Sequence, residues 1–349
     1  MDMDRIGLGE SWPEEDIESV DQCPVCGCSD RVLIHKNLRD RIFFCAPGEW
    51  SIYQCQDCNT GYLDPRPTPA SIGLAYQNYF THVKGDRIKL ALKQRIRRTL
   101  ADGYRRYQFG PSKRLSSVVD VLASWLIPRQ KAIMDAGMRH LPRPSMGQRL
   151  LDVGCGSGEF LERARSNGWE VVGIELDPKA VEASQSRGLD VRMGSIDSLD
   201  LACEEFDGIT IRHVIEHLYD PIAALKICHN LLKPKGWIWV ETPNLSSQGH
   251  HLYGADWRDL DPPRHLIHFN PSSLRYALEQ AGFDNVLVQP WRPMCSEVFP
   301  ESEAIACGLD PVNQSVFSSD VRRKVRACDN RAKSDPGIRE FITVKAWKK

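Results

Sequence analysis

The sequence predicts an α/β chain, built on an open and mostly parallel sheet and preceded by a small cysteine-rich module. Three observations carry this. Leu150 to Leu161 reads Leu-Leu-Asp-Val-Gly-Cys-Gly-Ser-Gly-Glu-Phe-Leu: a short apolar run, a glycine turn and the start of an amphipathic helix. Glu170 to Leu176 is a second apolar run, with an acid near its end at Glu175 and Asp177-Pro178 after it. Two Cys-x-x-Cys turns, Cys23 to Cys26 and Cys55 to Cys58, stand ahead of both. Repeated strand–turn–helix units give a doubly wound, Rossmann-like domain.

The glycine turn is the first element to justify. Glycines let the backbone turn tightly and let a ligand approach it closely. The helix that follows offers unpaired N–H groups and the positive end of its dipole. An acid closing the second strand suits a ribose, because a carboxylate accepts from both hydroxyls of the diol. A nucleoside is therefore expected. The dinucleotide fingerprint is Gly-x-Gly-x-x-Gly, whereas this loop is Gly-x-Gly-x-Gly with Asp152 just before it.

Five stretches follow in order: Leu151 to Gly158, Gly173-Ile174-Glu175, Gly194-Ser195-Ile196-Asp197, Phe206 to Ile209 with His213-Val214-Ile215-Glu216-His217, and Leu231 to Gly236. From about Arg149 onward the chain resembles the class I S-adenosylmethionine-dependent methyltransferases. That resemblance implies a seven-stranded sheet with one antiparallel strand, the last two strands being Asn285 to Gln289 and Phe341 to Lys345. It also implies the cofactor contacts. The loop of Asp152, Gly154, Cys155, Gly156 and Gly158 would meet the methionine part, Glu175 the ribose, and Ser195 and Ile196 the adenine, with Leu176 a further cofactor-binding candidate. Arg212, ending the fourth strand, would complete the set. Ser195 stands where many members carry an acid.

Length and charge set bounds. The 349 residues fit two or three domains. A net charge of −1 gives no global bias toward nucleic acid or acidic membranes. No apolar run reaches the length of a membrane span and the N-terminus is acidic, so a cytoplasmic location is expected. Of twelve cysteines, four have metal spacing. Cys155, Cys203 and Cys228 lie in apolar patterns and are expected as buried thiols, and Cys28 and Cys45 as unligated ones.

Residues 1–20 read as an acidic tail. Residues 21–66 read as a zinc ribbon, with Arg31 to His35 and Trp50 to Gln54 as strands between the turns. Cys23, Cys26, Cys55 and Cys58 supply four thiolates, a closed and therefore structural site. A reactive Cys-x-x-Cys is the alternative, and the second copy argues against it. Tyr62 to Pro69 forms a stiff, proline-rich exit. This combination is similar to methyltransferases of polysaccharide and natural-product pathways whose zinc-binding head precedes the catalytic domain.

Residues 67–145 are expected to form a helical cap. Lys84 to Arg114 carries eleven Lys or Arg against two Asp, with Ile88, Leu90, Leu92, Ile96 and Leu100 at roughly helical spacing. It reads as a solvated amphipathic helix, with a phosphate or RNA surface as the alternative. Ser117 to His140 continues helical, with Trp125, Leu126 and Ile127 in the core. Residues 146–349 form the catalytic domain, with a polar, partly helical insertion at about 294–338.

The chemistry is expected at strand C-termini, where ligands sit in open parallel sheets. Phe206 to Ile211 is followed by His213, Glu216 and His217, three and four apart on one turn. Trp237 to Val240 ends in Glu241-Thr242-Pro243-Asn244. The loop Asp261 to Phe269, before a helix at Ser272 to Ala281, reads as a lid carrying His268, with Arg264 and His265 bracing it or binding an anion. Two readings stand open, beside a plain bracing role. One histidine is a general base for a hydroxyl nucleophile. Alternatively His213, Glu216, His217 and His268 hold a divalent ion. The Glu-His pair and later His resemble the ubiquinone-pathway O-methyltransferases and the small-RNA 2′-O-methyltransferases, which often have Glu in place of His213. The expected reaction is methyl transfer to a hydroxyl of a small acceptor, a sugar, glycan or natural product. Sugar C-methylation is the alternative, followed by an RNA-binding 2′-O-methyltransferase. Balanced charge and few aromatic patterns argue against nucleic acid. Oligomeric state is not readable.

Overall fold

The computed structural model describes residues 11–76, 103–105, 107–110, 128–199 and 201–349. Most of the expected basic helix, and Trp125, Leu126 and Ile127, lie outside the described residues, as does the first half of the acidic tail. Within the expected cap, 103–105 and 107–109 are helical, and Tyr104 and Phe109 are buried.

The N-terminal head begins with β1 (Ile17–Glu18), β2 (Arg31–Leu38), β3 (Trp50–Cys55), β4 (Gly61–Leu63) and β5 (Arg66–Pro67). β1 pairs with β5, while β2, β3 and β4 form an antiparallel sheet in which Arg31 faces Cys55 and Tyr53 faces Tyr62. The two expected strands are both present and run slightly longer. Each cysteine turn is closed by a residue in the left-handed region, Gly27 at φ 77° and Asn59 at φ 58°. Their N–H groups bond back to the Cys23 and Cys55 carbonyls.

The larger unit alternates α1 (Pro128–Gly137), β6 (Arg149–Val153), α2 (Glu159–Ser166), β7 (Glu170–Glu175), α3 (Pro178–Gln185), β8 (Asp190–Met193), β9 (Phe206–Arg212), α4 (Pro221–Leu231) and β10 (Leu232–Pro243). Then come α5 (Gln248–Tyr253), β11 (Ile267–His268), α6 (Pro271–Gln280), β12 (Phe283–Val288), α7 (Cys295–Ala306), α8 (Ser319–Ser334) and β13 (Phe341–Lys348). Helix starts are written in the sequence as an acid or amide followed by proline. Asp177, Asp220 and Asn270 each cap a helix by accepting backbone N–H groups, with proline at the first helical position.

Seven strands form one sheet in the order β12-β13-β10-β9-β6-β7-β8. β13 runs antiparallel to both neighbours, and the strands from β10 to β8 are parallel. Ile209, Ile211, Ile238, Trp239 and Val240 of the central strands are essentially inaccessible, as continuous apolar runs in a sheet covered on both faces should be. Strand order reverses between β6 and β9, so the loops after these two strands flank the crevice where such sheets bind ligands. The two loops touch: a Cβ on Gly154 would lie 2.2 Å from Val214 Cγ2.

Two expectations are corrected. The segment read as a lid is a fixed part of the head: β11 adds to β4, with Ile267 facing Tyr62 and His268 facing Gly61. A strand is held by its partner, and the partner here lies some 200 residues earlier, invisible to a local pattern. Cys203 is exposed, whereas Cys155 and Cys228 are buried as expected.

Candidate active site

At the glycine loop, the Glu175 carboxylate is fixed by backbone donors. One oxygen accepts from Gly156 N at 2.7 Å, the other from Leu176 N at 2.8 Å and Asp177 N at 3.0 Å. Gly156 adopts φ 53°, and a Cβ there would meet nothing within 4 Å, so the loop has a cradle open to a ligand. Gly158 precedes α2 without any side-chain cap. Leu176 is exposed and Ile196 is buried. Ser195 gives its hydroxyl hydrogen bond to Asp197, an exposed acid.

Asp152, just before this loop, is enclosed. It is fully buried and ion-paired with Arg139, and accepts from Thr210 Oγ1 at 2.9 Å. Burial pushes its carboxyl up, against the pull of Arg139. Its other oxygen, Oδ2, is buried with no hydrogen-bond partner among the described residues. Arg212 is also engaged, donating to Glu241 at 2.9 Å.

The loop after β9 is strained and polar. His213 sits at φ 52°, a left-handed backbone for a non-glycine residue, followed by a 3₁₀ turn at Ile215–His217. His213 Nδ1 lies 3.3 Å from Glu216, its Nε2 lies 3.8 Å from Glu241, and its ring packs edge-on to Phe341. Glu216 is buried, with its other oxygen accepting from Thr242 Oγ1 at 2.9 Å. Burial raises its pKa, but the His213 hydrogen bond and the surrounding histidines outweigh this and bring it down to about 2. Glu241 is lowered to about 2 as well: burial opposes, and Arg292, Arg212 and His213 prevail.

Glu216, His217 and His265 present ligand atoms all within 4.8 Å of one another. Carbonyl oxygens only accept, so the partners fix both tautomers. His217 Nδ1 donates to the Arg264 carbonyl at 2.9 Å and His265 Nδ1 to the Asp259 carbonyl at 2.8 Å. In the neutral form each ring is left with a lone pair on Nε2, the arrangement expected of a metal-ligating histidine. Burial, then the neighbouring His265, holds His217 down to about 4, so it stands neutral at pH 7.

In the head, Cys23 and Cys58 sulfurs are 3.6 Å apart and Cys26 and Cys55 sulfurs 3.5 Å. All four form one group. Four thiolates about 2.3 Å from a central zinc would stand about 3.8 Å apart, so the spacing fits. Cys58 has its pKa lowered to about 5, mainly by hydrogen bonding from Cys23, whose own thiol is pushed up.

A family model described as a methyltransferase domain matches residues 125–288. A ubiquinone biosynthesis O-methyltransferase of Xanthomonas campestris pv. campestris is 31% identical over 186 residues, covering 47% of this chain and 77% of the relative. Its counterpart in Xanthomonas oryzae pv. oryzae is 33% identical, covering 42% of this chain and 69% of the relative. The chain belongs to the class I S-adenosylmethionine-dependent methyltransferases. Among solved structures, a Thermotoga maritima S-adenosylmethionine-dependent methyltransferase aligns at 18% identity and TM-score 0.42, covering 66% of this methyltransferase and 96% of that chain. Phosphoethanolamine N-methyltransferase 2 of Haemonchus contortus aligns at 16% and 0.44, covering 68% and 58%. No described helix of the methyltransferase is long and apolar enough to cross a membrane.

Against the ion set expected from the sequence, the fold of the methyltransferase leaves two members out of the group and brings one in. His213 leans on Glu216 from outside the three-residue group. His268 is buried in β11 with neither ring nitrogen partnered among the described residues, and burial drives its pKa well below the usual range. His265, three residues earlier, takes the place expected of His268. Arg264, a candidate anion binder, is fully buried between Asp40 and Asp261, 2.6 Å from each, and therefore braces. Glu241, Thr242, Arg292 and Tyr76 join the site region without having been singled out as site residues. The end of β10 already marked Glu241 and Thr242. Nothing local marked Arg292 or Tyr76.

Proposed function

We propose that this methyltransferase moves the sulfonium methyl group of S-adenosylmethionine to a hydroxyl oxygen of a small acceptor, a sugar or other natural product, at a site built on Glu216, His217 and His265. The observation that carries the reading is that group: one carboxylate and two imidazoles with free Nε2 lone pairs, converging beside the cofactor crevice. Such a donor set fits a divalent cation. Bound there, the cation would orient the acceptor hydroxyl and ease loss of its proton. Glu216 supplies the charge, and its other oxygen is held by Thr242. The hydroxyl gives up its proton to water as its oxygen bonds to the methyl carbon and the carbon–sulfur bond breaks, leaving S-adenosylhomocysteine.

On the donor side, Gly154, Cys155, Gly156 and Gly158 are assigned to the methionine part and Glu175 to the ribose. Leu176 and Ile196 are assigned to the adenine faces, with Ser195 and Asp197 at its amine. Asp152 and Arg212 act behind this layer, through Arg139 and Glu241. Cys23, Cys26, Cys55 and Cys58 are assigned to one structural zinc. The names of the Xanthomonas relatives support transfer to oxygen. A second reading keeps His213 as the base: its Nδ1–H, held by Glu216, would leave Nε2 to take the acceptor proton, and the ring is half-exposed.

The test uses methyl-labelled S-adenosylmethionine with panels of catechols and sugars, with and without Mg²⁺ or Mn²⁺. Label should appear in a methyl ether. His265→Ala should cut turnover by about 10- to 100-fold, the usual cost of disturbing a metal site, without changing cofactor affinity. Label on carbon, or full activity in both chelator and His265→Ala, would reject the proposal. Chelator-resistant activity lost in His213→Ala would select the base reading.

A further inference from the structure

The head and the methyl-transfer site share one short segment, residues 261–270. Leu63 N of the head donates to the Leu266 carbonyl at 3.0 Å, and Leu266 N donates to the Glu216 carbonyl at 2.9 Å. One residue thus ties the ribbon sheet to the acid of the candidate ion site. Arg264, entirely inaccessible, holds Asp40 of the head and Asp261 of its own loop, and donates to the Ala75 carbonyl at 3.1 Å. Its own carbonyl receives the His217 Nδ1–H. Asp40 in turn gathers the backbone N–H groups of Ile42, Phe43, Cys45 and Ala46. Asn270 uses both ends of its amide: Oδ1 caps α6 at Ser272 N and Ser273 N, while Nδ2 donates to the Cys58 carbonyl at 3.1 Å. Cys58 is one of the four clustered thiols.

We infer that Arg264 and Asn270 are positioning residues that make the cysteine head a working wall of the methyl-transfer site, so that opening the four-cysteine cluster loosens the Glu216–His217–His265 group and spares the cofactor loop. The geometry separates the two halves. Bonds from the head land on 214–219 and 261–270, through Leu266, Arg264, Asn270, the Tyr219 hydroxyl and the Tyr76 hydroxyl 3.1 Å from His217 Nδ1, and on 250–256, through His35–His250 and Arg41–Asp256. The cofactor cradle is held by Glu175, Gly156 and their own strands, with no head residue in its hydrogen bonds. A buried guanidinium between two carboxylates moves only as a unit with both of them. The catalytic consequence rests on the ion-site reading above; the mechanical coupling does not.

Asn270→Asp is the sharpest probe, because aspartate keeps the helix cap and turns the donor to the Cys58 carbonyl into an acceptor that repels it. The measurement is hydrogen–deuterium exchange on the full chain, with cofactor affinity followed by calorimetry. Neither needs an ion or an acceptor, so failure of the ion-site reading would show in the His265→Ala turnover assay alone. Exchange in 213–218 and 264–268 should rise by about ten-fold, as for loss of local protection worth about 1.4 kcal/mol, while 150–176 and cofactor affinity stay unchanged. Arg264→Lys should do the same. Should both variants fail to fold, wild-type protein with its cluster thiols alkylated by iodoacetamide gives the same readout. A rise confined to 21–63 or to α6 would overturn the inference. So would an equal rise in 150–176, or an equal rise at 213–218 in Val321→Ala, a remote core variant.

Discussion

At the scale of the residue, the three glycines of the first loop are not equivalent, and their difference is a functional statement. Gly154 and Gly158 have no room for a side chain: a Cβ would lie 2.2 Å from Val214 and 2.5 Å from Leu189 respectively. Gly156 has space on its Cβ side. All three take positive φ. Gly154→Ala should therefore destabilise by overpacking, about 1–3 kcal/mol, on top of the left-handed penalty. Gly156→Arg should keep most of its thermal stability and fill the cradle. Cofactor affinity should fall at least about 100-fold, equivalent to about 2.8 kcal/mol. Calorimetry and melting of the two variants check this; normal cofactor binding by Gly156→Arg would remove the loop from the site. The loop was legible because glycine spacing reports backbone geometry directly. The histidines were less so. His265 and His268 lie in one short stretch, and only the turn geometry decides which ring faces Glu216. Arg264 could be read as a ligand for an anion because a sequence shows a charge without showing Asp40 beside it.

At the scale of the element, the strands, capped helices and cysteine turns were readable from period and punctuation, since each is decided within a few residues. β2 and β3 run a little beyond their expected ends because their pairing extends past the alternating pattern. The insertion at 294–338 holds two helices, α7 and α8, of which α7 buries Val298, Phe299 and Ile305. Its pattern is blurred because Pro300 lies inside α7. β11 could not be read, since two residues carry no period. The head as a whole makes a separate prediction. The sulfur spacing suits one zinc per chain, and a closed thiolate site contributes to folding. Metal analysis should find about one zinc per chain. Cys26→Ser should lower that content and the melting temperature of the head together. A metal-free preparation with an unchanged melt would refute the structural role.

At the scale of the whole molecule, the pH dependence of stability draws on a buried acid where α5, α7 and the start of β13 meet. Glu340 is 1% exposed and accepts from Gly249 N at 2.9 Å. The Trp257 indole stands beside it, as do Asp259 and the buried Cys295. Cys328 lies within its electrostatic reach, and Ser247 also faces it. Burial, with Asp259 adding, raises its pKa from 4.5 to about 8, against the opposing bond from Gly249. The sign follows from proton counting. Between pH 4.5 and about 8 the unfolded chain has released this proton and the folded chain retains it. The unfolded state therefore binds fewer protons, and stability falls as pH rises through that window, by at most about 1.4 kcal/mol per pH unit. Below 4.5 both states are protonated and the contribution is constant. Glu340→Gln keeps the shape, cannot ionise and should lose this slope. Urea midpoints of both proteins, taken at pH 5, 6.5 and 8, should diverge, with the variant gaining on the wild type toward pH 8. Other groups that titrate in the same range do so in both proteins and cancel in the difference. Parallel curves would mean that Glu340 ionises freely in the folded chain, and that the packing of α5 against α7 and β13 admits water.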